Sequence, residues 1–227
     1  MNPIVSVRGL RYTFEDGTEA LRGVDFDLEE GQTIALLGPN GSGKTTFALH
    51  LNGILRGAGT VVIGGLPVEE RNLSQIRRQV GMIFQDSENQ LFMPTVLEDV
   101  AFGLLASGVS RDVAEARARE VLAETGMLHK ENKAPWHLSA GEKKRTAIAG
   151  ILAMDPKLLV LDEPTTFLDP LGRRELIQLF ARLPQAKILI THDTDFARQL
   201  AQEAVFFEEG VIAARGPIDE VTAAYGW

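Results

Sequence analysis

The chain has 227 residues, of which 44% are hydrophobic and 24% charged, and a formal net charge of −8. Such a length and composition suit an ordinary globular protein of one α/β domain with an insertion, or at most two small domains, and the charge argues against a broad basic face made for nucleic acid. The absence of cysteine excludes disulfides, thiolate metal sites and a cysteine nucleophile.

In chain order, extended segments are expected at Ile4–Val7, Val24–Leu28 and Thr33–Leu37, with turns at Asp16-Gly17 and Glu30-Gly31. The third segment runs directly into Gly38-Pro39-Asn40-Gly41-Ser42-Gly43-Lys44-Thr45, and a helix-like stretch, Thr46–Leu55, follows. This run fits G-x-x-x-x-G-K-[ST] in its proper strand–loop–helix context. Its glycines let successive backbone N–H groups face phosphate oxygens, and the helix N-terminus adds partial positive charge. Lys44 is expected to reach the β- and γ-phosphates of a nucleoside triphosphate, and the Thr45 hydroxyl to ligate Mg²⁺.

Further apolar runs stand at Thr60–Ile63, closed by Gly64-Gly65, and at Val80–Phe84. From Val96 to about Met127 the pattern is helical, with Glu115 and Arg119 at i,i+4 and Gly126 as a C-terminal signal. A helix from about Ala140 to Met154 precedes a buried-type strand at Leu158–Leu161. A helix at Leu171–Leu183, a strand at Lys187–Thr191 and a hairpin of Val205–Phe207 with Val211–Ala214 complete the series. Strands separated by helices imply a mostly parallel sheet, with the stretch from about 89 to 150 as a helical insertion. No apolar stretch reaches membrane-span length and Met1–Leu10 lacks a signal-peptide core, so a cytoplasmic location is expected, with a membrane-bound partner allowed.

The strand Leu158–Leu161 ends in Asp162-Glu163. At the C-terminal edge of a parallel strand, Asp162 can stand beside the phosphate loop and hold Mg²⁺, and Glu163 is placed to act on an attacking water. Gln85 after Val80–Phe84 could touch Mg²⁺ or that water, and His192 after Lys187–Thr191 could meet the γ-phosphate. Ser139-Ala140-Gly141-Glu142 opens a helix as a capping box, and an open helix N-terminus is also an anion site; both readings can hold.

The order of these motifs closely resembles the nucleotide-binding subunit of ATP-binding-cassette transporters, from near the first residue to beyond Asp193. The resemblance matches Walker A to Gly38–Thr45, the Q-loop to Gln85, the signature to Leu138–Glu142, and Walker B to Leu158–Asp162 with Glu163. It further matches the D-loop to Leu168-Asp169 and the switch histidine to His192. It implies a P-loop NTPase core with an N-terminal antiparallel β part and a helical signature subdomain at about 89–150, in one cassette spanning 1–227. ATP and Mg²⁺ are the implied ligands, with Gly38, Pro39, Asn40, Gly41, Ser42, Gly43, Lys44, Thr45 and Thr46 at the phosphates. Thr45, Gln85 and Asp162 are implied at the metal. Glu163, His192, Gln85 and Lys44 are the implied catalytic set. Phe14 is the implied adenine-stacking residue, with Tyr12 as the fallback.

In this family Ser139 and Gly141 of one subunit complete the site of another, so a head-to-tail dimer around two ATP molecules is implied, of like chains or of this chain with a paralogue. Ala140 and Glu142 depart from the usual LSGGQ, and Lys143, Lys144 and Arg145 are expected partly to offset the added acid.

The segment Phe84–Gly103 resembles the ATPases of energy-coupling-factor importers, which take up cobalt, nickel or vitamins. That resemblance implies an integral-membrane coupling protein and a substrate-binding membrane component as partners, no nucleic acid, and a place at the cytoplasmic membrane face. Asp86, Glu88, Glu98 and Asp99 could receive arginines from the coupling protein or stand simply as solvated loop acids. The chain ends soon after the late hairpin, from which a weak or ATP-dependent dimer is expected. The alternative is a soluble cassette ATPase acting on nucleic acid or ribosomes, which a single acidic cassette without long insertions disfavours.

Overall fold

A computed structural model describes residues 3–86 and 90–227. The chain divides into two compact units: residues 1–80, 157–163 and 184–227, and residues 81–156 and 164–183.

In the first unit, β1 (Val5–Thr13), β2 (Glu19–Leu28), β4 (Ala58–Ile63) and β5 (Leu66–Pro67) form an antiparallel sheet in the order β2-β1-β4-β5. Alternation of buried Val5, Val7 and Leu10 with more exposed neighbours gives β1 a core face and a solvent face.

A second sheet carries β3 (Thr33–Leu37), β7 (Leu158–Asp162), β8 (Ala186–Ile190), β9 (Glu203–Glu208) and β10 (Val211–Pro217), in the order β10-β9-β3-β8-β7. Only β10 is antiparallel to its neighbour here. Every residue of β3, β7 and β8 is buried, as expected for parallel strands covered on both faces. Register aligns Leu36 with Ile190 and Ile190 with Asp162, so β3, β7 and β8 end at one level. The expected α/β class with a mostly parallel sheet and a separate antiparallel part is thus found. Helix α1 (Lys44–Leu51) packs its Phe47 ring between Phe26 and Phe207, at centroid separations of 5.2 and 5.5 Å.

Three short helices of this unit have no counterpart in the sequence expectations: α2 (Leu73–Gln79), α7 (Thr194–Leu200) and α8 (Ile218–Tyr225). Each is at most eight residues, too short for a helical period to stand out. For α7 a readable signal existed, because Asp193 caps Phe196 N at 2.9 Å.

The second unit begins within β6 (Val80–Ile83) and holds α3 (Val96–Ala106), α4 (Arg111–Glu124), α5 (Ala140–Ala153) and α6 (Pro170–Arg182). The expected helical stretch to Met127 is interrupted at Gly108, whose φ of 87° breaks it into α3 and α4. Thr95 and Glu98 form a reciprocal capping box that starts α3. On α4, Ala114, Ala118, Val121 and Leu122 make the buried stripe, and Arg119 reaches Glu115 at 3.4 Å as the spacing predicts. Gly103 lets α3 lie against Met154, where an added Cβ would come 2.8 Å from the sulfur. Among the described residues no helix is long and apolar enough to cross a membrane.

Candidate nucleotide site

Because β3, β7 and β8 end together, the segments that follow them converge. Gly38 has φ 129°, and a Cβ there would collide with the Phe207 carbonyl oxygen, so only glycine lets the loop leave β3 along this path. Gly43, at φ 106°, lies so near the Ala20 carbonyl that a Cβ would approach its oxygen to 2.6 Å. Between them Pro39, Asn40 and Gly41 are exposed while Ser42 is buried. Thr46 is half-buried on the first turn of α1.

Lys44 is 6% exposed and curls back into its own loop. Its Nζ donates to the carbonyl oxygens of Gly38 (2.6 Å) and Pro39 (2.8 Å) and to Ser42 Oγ (3.3 Å). Burial lowers its pKa, while Glu163 and Asp162 act to hold the charge. A buried cation with only neutral oxygens in hydrogen-bond reach is the donor set that a phosphate suits, since anionic oxygens make stronger bonds than carbonyls.

Asp162 is the last residue of β7, 9% exposed, and Thr45 Oγ1 donates to its Oδ2 at 3.0 Å. Burial raises the Asp162 pKa, opposed by that hydrogen bond and by Lys44. Among the described residues no cluster of three His, Asp or Glu side chains could hold a metal unaided. A hydroxyl and a carboxylate fit Mg²⁺ instead, which binds few protein ligands and completes its shell with phosphate and water.

Glu163 has φ 48°, an uncommon conformation for a side chain-bearing residue. Its N–H donates to Ile190 O at 2.8 Å, and its carboxylate is held by two donors from the end of β8. Thr191 Oγ1 donates to Oε2 at 3.2 Å and His192 N to Oε1 at 3.1 Å. Burial raises the Glu163 pKa, which makes the carboxylate a better proton acceptor than one in water. His192 Nε2 lies 2.9 Å from Asn40 Oδ1 and 3.4 Å from Glu163 Oε1. A proton on Nε2 would suit both oxygen neighbours.

Phe14 is 39% exposed and meets the Tyr12 ring edge-on at 5.0 Å; Tyr12 in turn meets His50 at 5.0 Å. Phe14 is therefore the outer ring of this series and Tyr12 the inner one.

The remaining expected residues lie in the second unit. Gln85 is exposed, and its carbonyl oxygen accepts from the buried Lys144 at 3.4 Å. Ser139 caps α5 in the expected box: Glu142 N donates to Ser139 Oγ (3.3 Å) and Ser139 N to Glu142 Oε2 (2.9 Å). Gly141 lies with Ser139, Phe167, Asp169 and Leu171 around a cleft of about 350 Å³.

The charges around Glu142 and at Asp99 differ from expectation. Glu142 is paired with Lys130, at 2.7 Å, and this bond together with Ser139 N brings its pKa down to about 2. Lys144 instead donates to the Gln85 and Thr166 carbonyls, and Arg145 pairs with Glu175. Nothing in the sequence near Glu142 marks Lys130, which reaches it only through the fold. Asp99 is turned inward, where its carboxylate accepts from Phe92 N and Met93 N at 3.1 Å each, and Glu98 serves the α3 cap. Of the acids expected to face a partner, Asp86 is exposed and Glu88 lies outside the described residues.

The profile of the ABC transporter family matches residues 21–166. The chain belongs to that family. As an ABC ATPase it binds ATP and hydrolyses it. A Streptomyces avermitilis protein named for ABC transporter ATP binding is 50% identical over 222 residues, covering 97% of this chain and 85% of that one. The energy-coupling factor transporter ATP-binding protein EcfA of Methanothermobacter thermautotrophicus is 46% identical over 219 residues, 94% of this chain and 70% of its own. The structure of CbiO1 from Clostridium perfringens, part of the ABC transporter complex cbiONQ, superimposes with a TM-score of 0.89. That match is 36% identical and covers 99% of this ABC ATPase and 92% of CbiO1.

Proposed function

We propose that this ABC ATPase powers an energy-coupling-factor type membrane importer for cobalt, nickel or a vitamin. The observation that carries the reading is the likeness to CbiO1 over nearly the whole chain, and the EcfA relative supports it. In the second unit, exposed Phe92 and Phe102 meet edge to face at 4.9 Å, an apolar surface of the kind an integral-membrane coupling protein would cover. On this reading the chain sits at the cytoplasmic membrane face and works as one cassette, with the helical signature subdomain inserted in the core. A substrate-binding membrane component completes the complex.

For hydrolysis, Lys44 exchanges the Gly38 and Pro39 carbonyls for the β- and γ-phosphate oxygens, and Gly41, Ser42, Gly43 and Thr46 line the same phosphates. Phe14 stacks on adenine. Thr45 and Asp162 would hold Mg²⁺, which would neutralise phosphate charge when bound. Glu163, fixed by Thr191 and His192 N, orients a water and takes its proton as the water oxygen bonds to γ-phosphorus. The bond from γ-phosphorus to the bridging oxygen breaks, leaving ADP and phosphate. His192 Nε2–H, which lies against Asn40 Oδ1, donates to the γ-phosphate.

ATPases of this family form dimers. Here Ser139 and Gly141 of a second subunit would close the exposed phosphate loop and add a helix N-terminus against the developing charge.

The test is to tag the chain in its host, solubilise membranes in mild detergent and identify what co-purifies by mass spectrometry. An integral-membrane coupling protein with a substrate-binding companion is expected, and the companion separates metal from vitamin. Recovery with ribosomal or nucleic-acid-associated proteins alone would overturn the importer reading in favour of a soluble cassette ATPase.

A further inference from the structure

Behind His192 lies an aromatic support that the hydrolytic reading does not use. The Trp227 indole stacks on the His192 imidazole, with centroids 5.3 Å apart and planes 27° from parallel. Trp227 is itself braced by Phe206. The buried Phe206 meets its ring edge-on at 5.7 Å, and Phe206 stacks on Tyr225 at 3.8 Å and 16°. Gly226, at φ 68°, turns the backbone at the end of α8, and Trp227 N donates to Thr222 O at 2.9 Å. Phe206 in turn pairs in register with Leu37, the residue before Gly38. The indole is thus anchored to the same strands that carry the phosphate loop.

The His192 side chain is 44% exposed, and both of its polar neighbours, Asn40 Oδ1 at 2.9 Å and Glu163 Oε1 at 3.4 Å, lie at Nε2. A ring held at one atom can still rotate about its broad terminal torsion, whereas a ring stacked against a fixed plane cannot do so freely. We propose that Trp227 is a positioning residue for His192, holding the imidazole plane so that Nε2 points to Asn40 and Glu163. The proposal rests on His192 contacting the γ-phosphate. Trp227 touches no reacting atom and acts only through the histidine.

Trp227→Leu keeps apolar packing on Phe206 and loses the stack, while Trp227→Phe keeps a planar ring. We expect the Leu variant to lower kcat for ATP about three- to tenfold, the range of an aromatic pair expressed as rate, with KM changed less than about twofold. The Phe variant should recover most of that loss. Imidazole ¹⁵N shifts of His192 should report one Nε2–H tautomer in the parent chain and tautomer averaging in the Leu variant. In a His192→Ala background the Trp227→Leu substitution should cost nothing further. Full kcat with unchanged ¹⁵N shifts in the Leu variant overturns the proposal, as does a loss that persists without His192. Undiminished turnover in His192→Ala alone would instead remove the γ-phosphate role on which the proposal rests.

Discussion

Thr45 and Asp162 stand 117 residues apart in the chain, yet the hydroxyl of one donates to the carboxylate of the other at 3.0 Å. That bond ties the start of α1 to the end of β7. Thr45→Val leaves the buried Asp162 oxygen without this donor. The expected result is a loss of about 1–3 kcal/mol in unfolding free energy by urea titration, the cost of an unmet buried polar group. Because the same two oxygens are assigned to Mg²⁺, ATP turnover should also fall and require more Mg²⁺. A variant with parental stability and parental Mg²⁺ dependence would contradict both roles.

Glu163→Gln preserves shape and the Thr191 contact but cannot accept a proton. Turnover should fall by about 10²–10⁴-fold while ATP still binds, the usual effect of removing a general base. The mutant should accumulate as an ATP-bound dimer, read by sedimentation with and without nucleotide. Undiminished phosphate release would sink the assignment.

Gly38→Ala tests the loop geometry separately from chemistry. The substitution places a methyl group against the Phe207 carbonyl at φ 129°, where L residues are strained. We expect a loss of at least about 2 kcal/mol of stability, measured by denaturant unfolding without nucleotide. A neutral result would show that the loop can leave β3 by another path.

Glu142 supplies a pH signature. Its pKa falls from 4.5 to about 2 through Lys130 and Ser139 N, so the folded state favours the ionised form. The sign follows directly: this stabilisation is complete above pH 4.5 and is lost as pH falls toward 2. Thermal melts of the parent and Glu142→Gln should differ most near neutrality, and the gap should close progressively in acid. A gap that stays constant from pH 7 to pH 3 would show that Glu142 gains nothing from Lys130. The same variant weakens the α5 cap, so Ser139→Ala, which loses about 0.5–2 kcal/mol without removing the charge, serves as the control.

Some of this site was legible residue by residue. Gly38–Thr45 announced itself because the apolar strand, glycine loop and helix are adjacent in the chain. The Ser139–Glu142 box needed only its i,i+3 spacing, and Asp162 only its place at the end of an apolar run. The inward turn of Asp99 was not legible, since an acid in a loop-to-helix segment looks solvated until Phe92 N and Met93 N are seen beside it. Nor was the choice of Lys130 over Lys143, Lys144 and Arg145 as the partner of Glu142.

The sequence by itself determined the family, the ATP chemistry and the residues at the end of each site strand. These depend on backbone conformations and hydrogen bonds spanning a few residues, which local composition encodes directly. Only the tertiary structure decided which distant groups meet: Thr45 with Asp162, Thr191 and His192 with Glu163, Lys130 with Glu142, and Trp227 with His192. Those pairings are set by strand register and by where short helices such as α8 return the chain. A hydrogen bond or ring stack tolerates only fractions of an ångström, far less than sequence spacing can specify.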